Sequence, residues 1–314
     1  MVLVSGRGHR HRIPKARHRI RTGRFLFHFS LPEEARTLKA DGPNAGGHWK
    51  RRMEWNMDHD ERMRIAEDVA RRVMTRFPGT VLFGCVTGSV ARGDDTEHSD
   101  IDTMFVTTSR IRLPKMSPDG YRQFIYRGVP LQVEFRTREE ALEILGETGP
   151  YWPVQATNFL EPRLIGGDPE VAARTVLEFR KFVDAIPMSS FRRGAGHALL
   201  WVDQGLGKVR NAGAAGDHPR AIQAGIWMAQ DTAAFLGLVN RRYYHFGDAR
   251  MIREAESFPT VPAGLPNILA RLFGAVATPE IVAAAEELGS LCRDLAREQG
   301  ILVEEIDELE EVGL

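Results

Sequence analysis

Cysteine is scarce in this chain, and long apolar runs are missing. Among its 314 residues only Cys85 and Cys292 are cysteines, and they do not form a Cys-x-x-Cys pair. Two cysteines cannot build the disulfide framework of a small secreted protein, and they suit a reducing compartment, so we expect a cytoplasmic protein. The longest weakly charged stretch, residues 221–240, contains two glutamines and an aspartate, which favours a buried helix over a membrane span. We therefore expect no interaction with a membrane.

An excess of charge of either sign is also absent. Lys plus Arg and Asp plus Glu each total 42, which gives a formal net charge of zero. A partner selected by charge alone, such as a nucleic acid, is therefore not expected. The exception is local, because residues 1–31 hold eight Lys or Arg, four His and no acid. Such a segment could serve as a nucleic-acid-binding arm or a targeting peptide, but its composition favours a disordered extension over residues 1–50.

The pattern of apolar residues predicts a helix and two strands at the start of the ordered chain. Residues 60–77 follow a helical period that ends at Pro78-Gly79, as expected for a helix that faces a core. Residues 80–87 are a short apolar run rich in β-branched side chains, which predicts a strand buried on both faces, and residues 100–107 form a second such run after a polar loop.

The following segment predicts a hairpin. Residues 121–126 and 129–135 are joined at Arg127-Gly128, where glycine allows a tight turn. A helix near 139–145 and one more strand near 162–165 are expected after it.

Only helices are predicted beyond about residue 170. Asp168 and Pro169 are a typical N-cap and first helical residue. The helices are expected at Val171–Ile186, Gly194–Val209, Pro219–Asn240 and Thr278–Gln299. The sequence thus predicts a domain of strands and helices over residues 51–170 and an all-helical domain over residues 171–314.

Two short motifs combine into a candidate site. Gly88-Ser89 follows the first predicted strand, where free backbone amides and a hydroxyl can meet phosphate oxygens. After ten intervening residues, Asp100 and Asp102 alternate on the second strand, so their side chains are expected on one face, with their Cα atoms about 6.6 to 6.8 Å apart. Ile101 would then point into the core. Paired carboxylates of this kind suit Mg²⁺, which is commonly completed by substrate phosphates.

A third carboxylate, Glu134, is predicted on the hairpin. If its strand neighbours that of Asp102, the three acids form a like-charge cluster that cations would stabilise. The alternative is an ordinary solvent-facing strand residue, because Glu134 stands alone between Val133 and Phe135.

The combination of Gly-Ser, the Asp-x-Asp pair and a later strand carboxylate resembles the DNA polymerase β-type nucleotidyltransferase superfamily. Residues 88–102, GSVARGDDTEHSDID, are similar to its small bacterial and archaeal branches, which include the aminoglycoside nucleotidyltransferases and the minimal nucleotidyltransferases. One departure is Thr103, where a hydrophobic residue is usual. The resemblance implies an α+β fold, with a small mixed β-sheet and helices followed by a helical domain.

The resemblance also implies an activity. Gly88 and Ser89 would bind the nucleotide, Asp100, Asp102 and Glu134 would be catalytic and hold two Mg²⁺ ions, and Glu134 is the first candidate for the base. A nucleoside triphosphate, with ATP as the first choice, would give its nucleoside monophosphate to the hydroxyl of a small acceptor such as an aminoglycoside-like compound. A homodimer is compatible with this class.

Pyrophosphate needs cations from the protein, and the helical region offers four. They are Lys208, Arg210, Arg241 and Arg242, of which we predict Lys208 and Arg242 as nucleotide contacts, although a solvated helix end is the commoner role for such residues. An alternative function is an antitoxin-like module that acts on or binds a HEPN-type helical toxin. The spacing of Arg192 and His197 superficially resembles the ribonuclease motif of such toxins.

Overall fold

The computed structural model describes residues 57–303, so the predicted basic extension over residues 1–50 lies outside the described residues. The described chain forms five strands and ten helices. In chain order they are α1 (His59–Arg76), β1 (Val81–Thr87), α2 (Gly88–Arg92), β2 (Ile101–Thr107), β3 (Tyr121–Tyr126), β4 (Val129–Thr137), α3 (Arg138–Gly146), α4 (Trp152–Leu160), β5 (Arg163–Gly167), α5 (Pro169–Ala185), α6 (Met188–Ala214), α7 (His218–Val239), α8 (Asp248–Ala255), α9 (Leu265–Gly274) and α10 (Thr278–Glu298).

The five strands form one mixed sheet. Their order is β3-β4-β2-β1-β5, with β2 and β4 parallel and the other neighbours antiparallel. The predicted hairpin is confirmed, and Arg127 and Gly128 at its turn have positive φ angles of 50° and 87°, as a two-residue turn of the primed type requires. The mixed sheet followed by helices alone confirms the predicted fold class in the described chain.

Alternation along β2 assigns its residues to two different cores. Ile101 and Phe105 join the cluster packed against α1, whereas Met104 joins the cluster that continues into the C-terminal helices. Ile101 is fully buried, as predicted. Thr103 is 1% exposed, and its hydroxyl donates to the Gln132 carbonyl of β4 at 2.7 Å, so the polar side chain at this usually apolar position is satisfied.

Helix α6 is longer than its sequence predicts. The predicted helix starts at Gly194 and ends at Val209, yet the observed helix extends from Met188 to Ala214 and contains both Gly194 and Gly196, although glycine is a weak helix former. A Cβ on Gly194 would lie 1.6 Å from the Thr148 carbonyl oxygen, and one on Gly196 would lie 2.4 Å from that of Leu302. Both glycines are thus required by close packing, which outweighs their low helix propensity.

Other elements also differ from the predicted ones, and α8 and α9 lie outside all of the predicted helices. Asp100 lies just before β2 rather than within it. Helix α4 lies between the helix predicted near 139–145 and the strand predicted near 162–165, where no element was predicted, and its first turn contains Pro153 and no side-chain cap. Helix α10 begins at Thr278, as predicted, but its N-cap is Ala277 although threonine is the type of residue that commonly caps a helix; the Thr278 hydroxyl lies 3.2 Å from His218 Nδ1. No helix between residues 57 and 303 combines the length and the apolar composition that a bilayer crossing needs.

Candidate active site

The turn after β1 brings the backbone close to the Asp-x-Asp pair. Thr87, the last residue of β1, is opposite Asp102 in the antiparallel pairing with β2. Gly88 has a positive φ of 65°, and a Cβ at this position would lie 3.0 Å from Asp102 Oδ2. Glycine is therefore required here both for the backbone conformation and for the space beside the carboxylate. Ser89 follows in the first turn of α2 and is half-buried.

Asp102 and Glu134 share one face of the sheet. In the parallel pairing of β2 with β4, Asp102 is opposite Gln132 and Met104 is opposite Glu134. Because side chains alternate along a strand, Asp102 and Glu134 project from the same face of the sheet. Glu134 lies on the neighbouring strand, two residues beyond Gln132, the residue opposite Asp102. The structure therefore places Glu134 beside the Asp102 strand, rather than on the face that carries Val133 and Phe135.

The carboxylates act on one another electrostatically. Burial, together with the negative charges of Asp100 and Glu134, raises the pKa of Asp102 to about 7. Burial and the charge of Glu134 also raise the pKa of the Cys85 thiol to about 12. Cys85 on β1 is fully buried and donates to the Met104 carbonyl. It is therefore a neutral core residue and not a nucleophile.

Glu134 has a cationic neighbour on its own strand. Arg136 Nε lies 2.5 Å from Glu134 Oε1, and the two side chains are 20% and 18% exposed. Alternation places both side chains on one face, so the ion pair follows from their spacing of two residues. This pairing offsets part of the negative charge around Asp102.

The donor set fits a hard divalent cation. Within residues 57–303, no three His, Cys, Asp or Glu side chains lie together closely enough to hold a metal ion as they stand. The ionised form of Asp102 is nevertheless disfavoured by the adjacent Asp100 and Glu134, and a cation bound to the carboxylate oxygens would reverse that penalty. Asp100 and Asp102 are thus the residues that could hold a cation, with Glu134 turned toward Arg136.

A segment from the helical region meets the loop between Ser89 and Asp100. Asp94 of this loop contacts both Arg92 and Arg250, the latter from α8. The two guanidinium groups lie 5.2 and 4.9 Å from the ring centroid of Phe246, which is cation-π distance. Arg250 and Phe246 were missed by the sequence analysis, because no local pattern connects residues more than 150 positions from Asp94.

A second group of polar side chains lies near the start of strand β5, beside the end of β1. Tyr243 donates to Glu161 Oε1 at 2.9 Å, and His245 lies between Glu161 and Glu254. Hydrogen bonding to Glu254 raises the pKa of His245. Arg163 at the start of β5 is opposite Val86, so Glu161, two residues earlier, lies near the end of β1 where the Gly88 turn begins.

The remaining cations predicted from sequence have partners in the helical region. Lys208 lies over the Trp227 ring at 5.3 Å, and Arg242 lies 6.0 Å from the centroid of Phe258. Arg210 forms a forked ion pair with Glu286, and Arg241 donates to carbonyl groups at the end of α5. Tyr244 is 1% exposed and stacks on Phe258, which makes it a core residue.

Two cavities beside the sheet do not include these acids. A hollow of about 190 Å³ lies where β4 passes into α3 and includes Arg136 and Glu140, but not Asp100, Asp102 or Glu134. A larger hollow, of about 410 Å³, lies between residues of α1 and Arg163 at the start of β5 and does not include the three acids either.

The comparisons with known proteins concern mainly the helical region. Residues 175–302 match the family described as KNTase C-terminal domain. This range contains Arg192 and His197, and His197 packs against Trp201 within a helix, so the toxin-related alternative is not favoured. No protein of curated function matches the chain.

One similar solved structure is a nucleotidyltransferase-like protein from Exiguobacterium sibiricum 255-15. It is 12% identical, with a TM-score of 0.43, over 74% of this chain and 75% of that chain. A similarity of this size carries no conclusion about the site.

Proposed function

We propose that this chain, whose residues 175–302 match the family described as KNTase C-terminal domain, transfers a nucleoside monophosphate from a nucleoside triphosphate to a hydroxyl of a small acceptor, with ATP as the first candidate for the triphosphate. The observation that supports this proposal is Asp102. It is a half-buried carboxylate with a pKa raised to about 7, and Gly88 keeps free the space beside its Oδ2 atom. A carboxylate held in this way is costly for stability unless a cation or a proton accompanies it.

Each residue of the motif has a role in the proposed reaction. The Gly88-Ser89 turn binds phosphate oxygens of the nucleotide through backbone amides and the Ser89 hydroxyl. Asp100 and Asp102 hold Mg²⁺, with two ions proposed. When bound, Mg²⁺ neutralises charge on the triphosphate and on the pyrophosphate that leaves.

Glu134 is the proposed proton acceptor. The acceptor oxygen forms a bond to the α-phosphorus, the bond from that phosphorus to pyrophosphate breaks, and the hydroxyl proton goes to Glu134. Glu134 shares the face of Asp102, which supports this role. Its ion pair with Arg136 means that it receives the proton while a guanidinium stays beside it. Lys208 and Arg242 remain proposed nucleotide contacts.

The acceptor is proposed to be a small cationic molecule. Glu161 and Glu254 lie on either side of His245, near the end of β1, and carboxylates at this edge suit the amino groups of an aminoglycoside-like compound. A cytoplasmic location is proposed because Cys85 and Cys292 are both buried free thiols, as expected in a reducing compartment.

The experiment that tests the proposal measures the transfer product. The protein is incubated with Mg²⁺, each of the four nucleoside triphosphates and a panel of amino sugars and neutral sugars, and products are identified by mass spectrometry with pyrophosphate measured in parallel. We expect an amino sugar to gain one nucleoside monophosphate, and we expect Asp102→Asn to abolish the product. A product on neutral sugars alone would contradict the proposed acceptor class.

A further inference from the structure

A buried ion pair lies beside the loop that leads to Asp100. Arg62 of α1 is 1% exposed, and the side chain of Asp95 is 0% exposed, with Arg62 Nη1 3.1 Å from Asp95 Oδ2. Taking two charges out of water costs several kcal/mol per ion, and apolar residues of similar volume often give equal or greater stability. The pair is therefore poorly explained by stability alone, and its geometry has to be considered.

The guanidinium of Arg62 holds the backbone just before the metal-site aspartates. Arg62 Nε donates to the Ser99 carbonyl at 3.1 Å, and Nη1 also donates to the Met57 carbonyl at 2.5 Å. The Ser99 carbonyl belongs to the peptide group that joins Ser99 to Asp100. Because a peptide group is planar and rigid, fixing this carbonyl also fixes the direction in which the chain enters Asp100.

Asp95 connects this arrangement to the strand next to β1. Asp95 Oδ1 lies 2.6 Å from His59 Nδ1, and His59 Nε2 lies 3.2 Å from Arg163 Nη1. Arginine can only donate, so His59 Nε2 accepts and Nδ1 carries the hydrogen given to Asp95. A continuous series of polar contacts thus runs from Arg163 on β5 to the Ser99 carbonyl.

The loop is held at two places. Its first part is fixed by the contacts of Asp94 with Arg92 and Arg250, and the part next to Asp100 is a short turn in which the Ser99 amide donates to the Thr96 carbonyl and the Thr96 amide donates to Ser99 Oγ. Between these residues, Glu97 and His98 are exposed. At the Asp100 end of the loop, Arg62 and the strand that follows are therefore the contacts that set the position of Asp100 relative to Asp102.

We propose that Arg62 is a positioning residue, which holds Asp100 beside Asp102 through the Ser99 carbonyl and Asp95 so that the two carboxylates can bind the cation accompanying the nucleoside triphosphate. This inference rests on the proposed function. Residues that orient metal ligands from behind commonly change metal affinity or activity by about 10- to 100-fold when they are replaced.

The test compares two Arg62 variants with a control on the same helix. Arg62→Met removes the charge and keeps a long apolar side chain, whereas Arg62→Lys keeps the charge but loses the fork that reaches both Asp95 and the Ser99 carbonyl. Arg64→Met is the control, because Arg64 is exposed and its Nε donates to the Asp60 carbonyl of its own helix. ATP binding is measured by calorimetry at increasing Mg²⁺, and melting of the metal-free protein is followed by circular dichroism.

We expect Arg62→Met to raise the Mg²⁺ concentration for half-maximal ATP binding by about 10- to 100-fold, with binding recovered at high Mg²⁺. The melting temperature of the metal-free Arg62→Met protein should fall, because the buried Asp95 carboxylate loses its cationic partner, so binding is measured well below it; recovery of ATP binding at high Mg²⁺ by the folded variant is the result that a purely structural role would not give. Arg62→Lys should show a smaller rise in the same direction, and Arg64→Met none.

Two outcomes separate this inference from the proposed function. If the parent binds ATP with Mg²⁺ and the Mg²⁺ requirement of Arg62→Lys equals that of the parent, the positioning role is wrong, whether or not Arg62→Met folds. If the folded parent shows no Mg²⁺-dependent ATP binding, the proposed function fails first.

Discussion

The carboxylate of Asp102 should destabilise the protein when no metal is bound. Its pKa is raised from 3.8 to about 7 in the folded chain, so between these values the folded state holds a proton that the unfolded state has lost. Stability from this group is therefore present at low pH and is lost as pH rises toward 7. Asp102→Asn removes the ionisation and should stabilise the metal-free protein at neutral and alkaline pH.

The size of this effect follows from the difference between the two pKa values. A difference of roughly three units, at about 1.4 kcal/mol each, gives an upper limit on the order of 4 kcal/mol at pH 8. At pH 5 only the unfolded state is substantially ionised, and the same relation gives about 2 kcal/mol. For a chain of this size the gain at pH 8 corresponds to a rise in melting temperature of up to roughly 10 °C.

The assay is thermal unfolding in a chelator at pH 5 and pH 8, for the parent, Asp102→Asn and Glu97→Gln. Glu97 is an exposed carboxylate in the same loop, so its variant should melt with the parent at both pH values. Addition of Mg²⁺ and ATP should stabilise the parent and leave Asp102→Asn unchanged. The reasoning is refuted if Asp102→Asn melts at or below the parent at pH 8, or if its advantage is the same at both pH values.

Three other predictions test single residues of the site. Gly88→Ala should lose about 1 to 2 kcal/mol of stability from its positive φ and should also lose ATP binding. The control Gly79→Ala, with a φ of 71° and no atom within 4 Å of the added Cβ, should lose only stability. Retained ATP affinity in Gly88→Ala would contradict the close approach to Asp102. Glu134→Gln should lower the rate of transfer by about 100- to 10,000-fold with the Kd of ATP little changed, and a rate equal to the parent's would exclude Glu134 as the base. Lys208→Ala and Arg242→Ala should each weaken ATP binding if these residues touch the nucleotide, and calorimetry showing an unchanged Kd would assign them to their contacts with Trp227 and Phe258 alone.

Local signals predicted much of the sheet. The Arg127-Gly128 turn and the Asp168-Pro169 helix start depend on residues close in sequence, and both were found where expected. The face of Glu134 also followed from strand alternation, once the pairing of β2 with β4 was known. That pairing is parallel and non-local, so the sequence could suggest it only through the family resemblance.

Other parts of the site depend on contacts that sequence patterns do not show. Arg62 follows a helical pattern in which a charged residue is expected at the surface, yet it is buried because Asp95 and the Ser99 carbonyl approach it from the loop. Arg250 contacts Asp94 although the two residues are 156 positions apart in the sequence. Gly194 permits a close approach by the Thr148 backbone, whereas helix propensity alone describes this glycine only as a weak helix former.

The most direct test of the account is calorimetric titration of ATP, CTP, GTP and UTP into the parent and into Asp100→Asn/Asp102→Asn, with and without Mg²⁺. We expect at least one triphosphate to bind the parent only with Mg²⁺, and the double variant, still folded, to bind none. Binding that is equal in the two proteins, or no binding of any triphosphate by the folded parent, would contradict it.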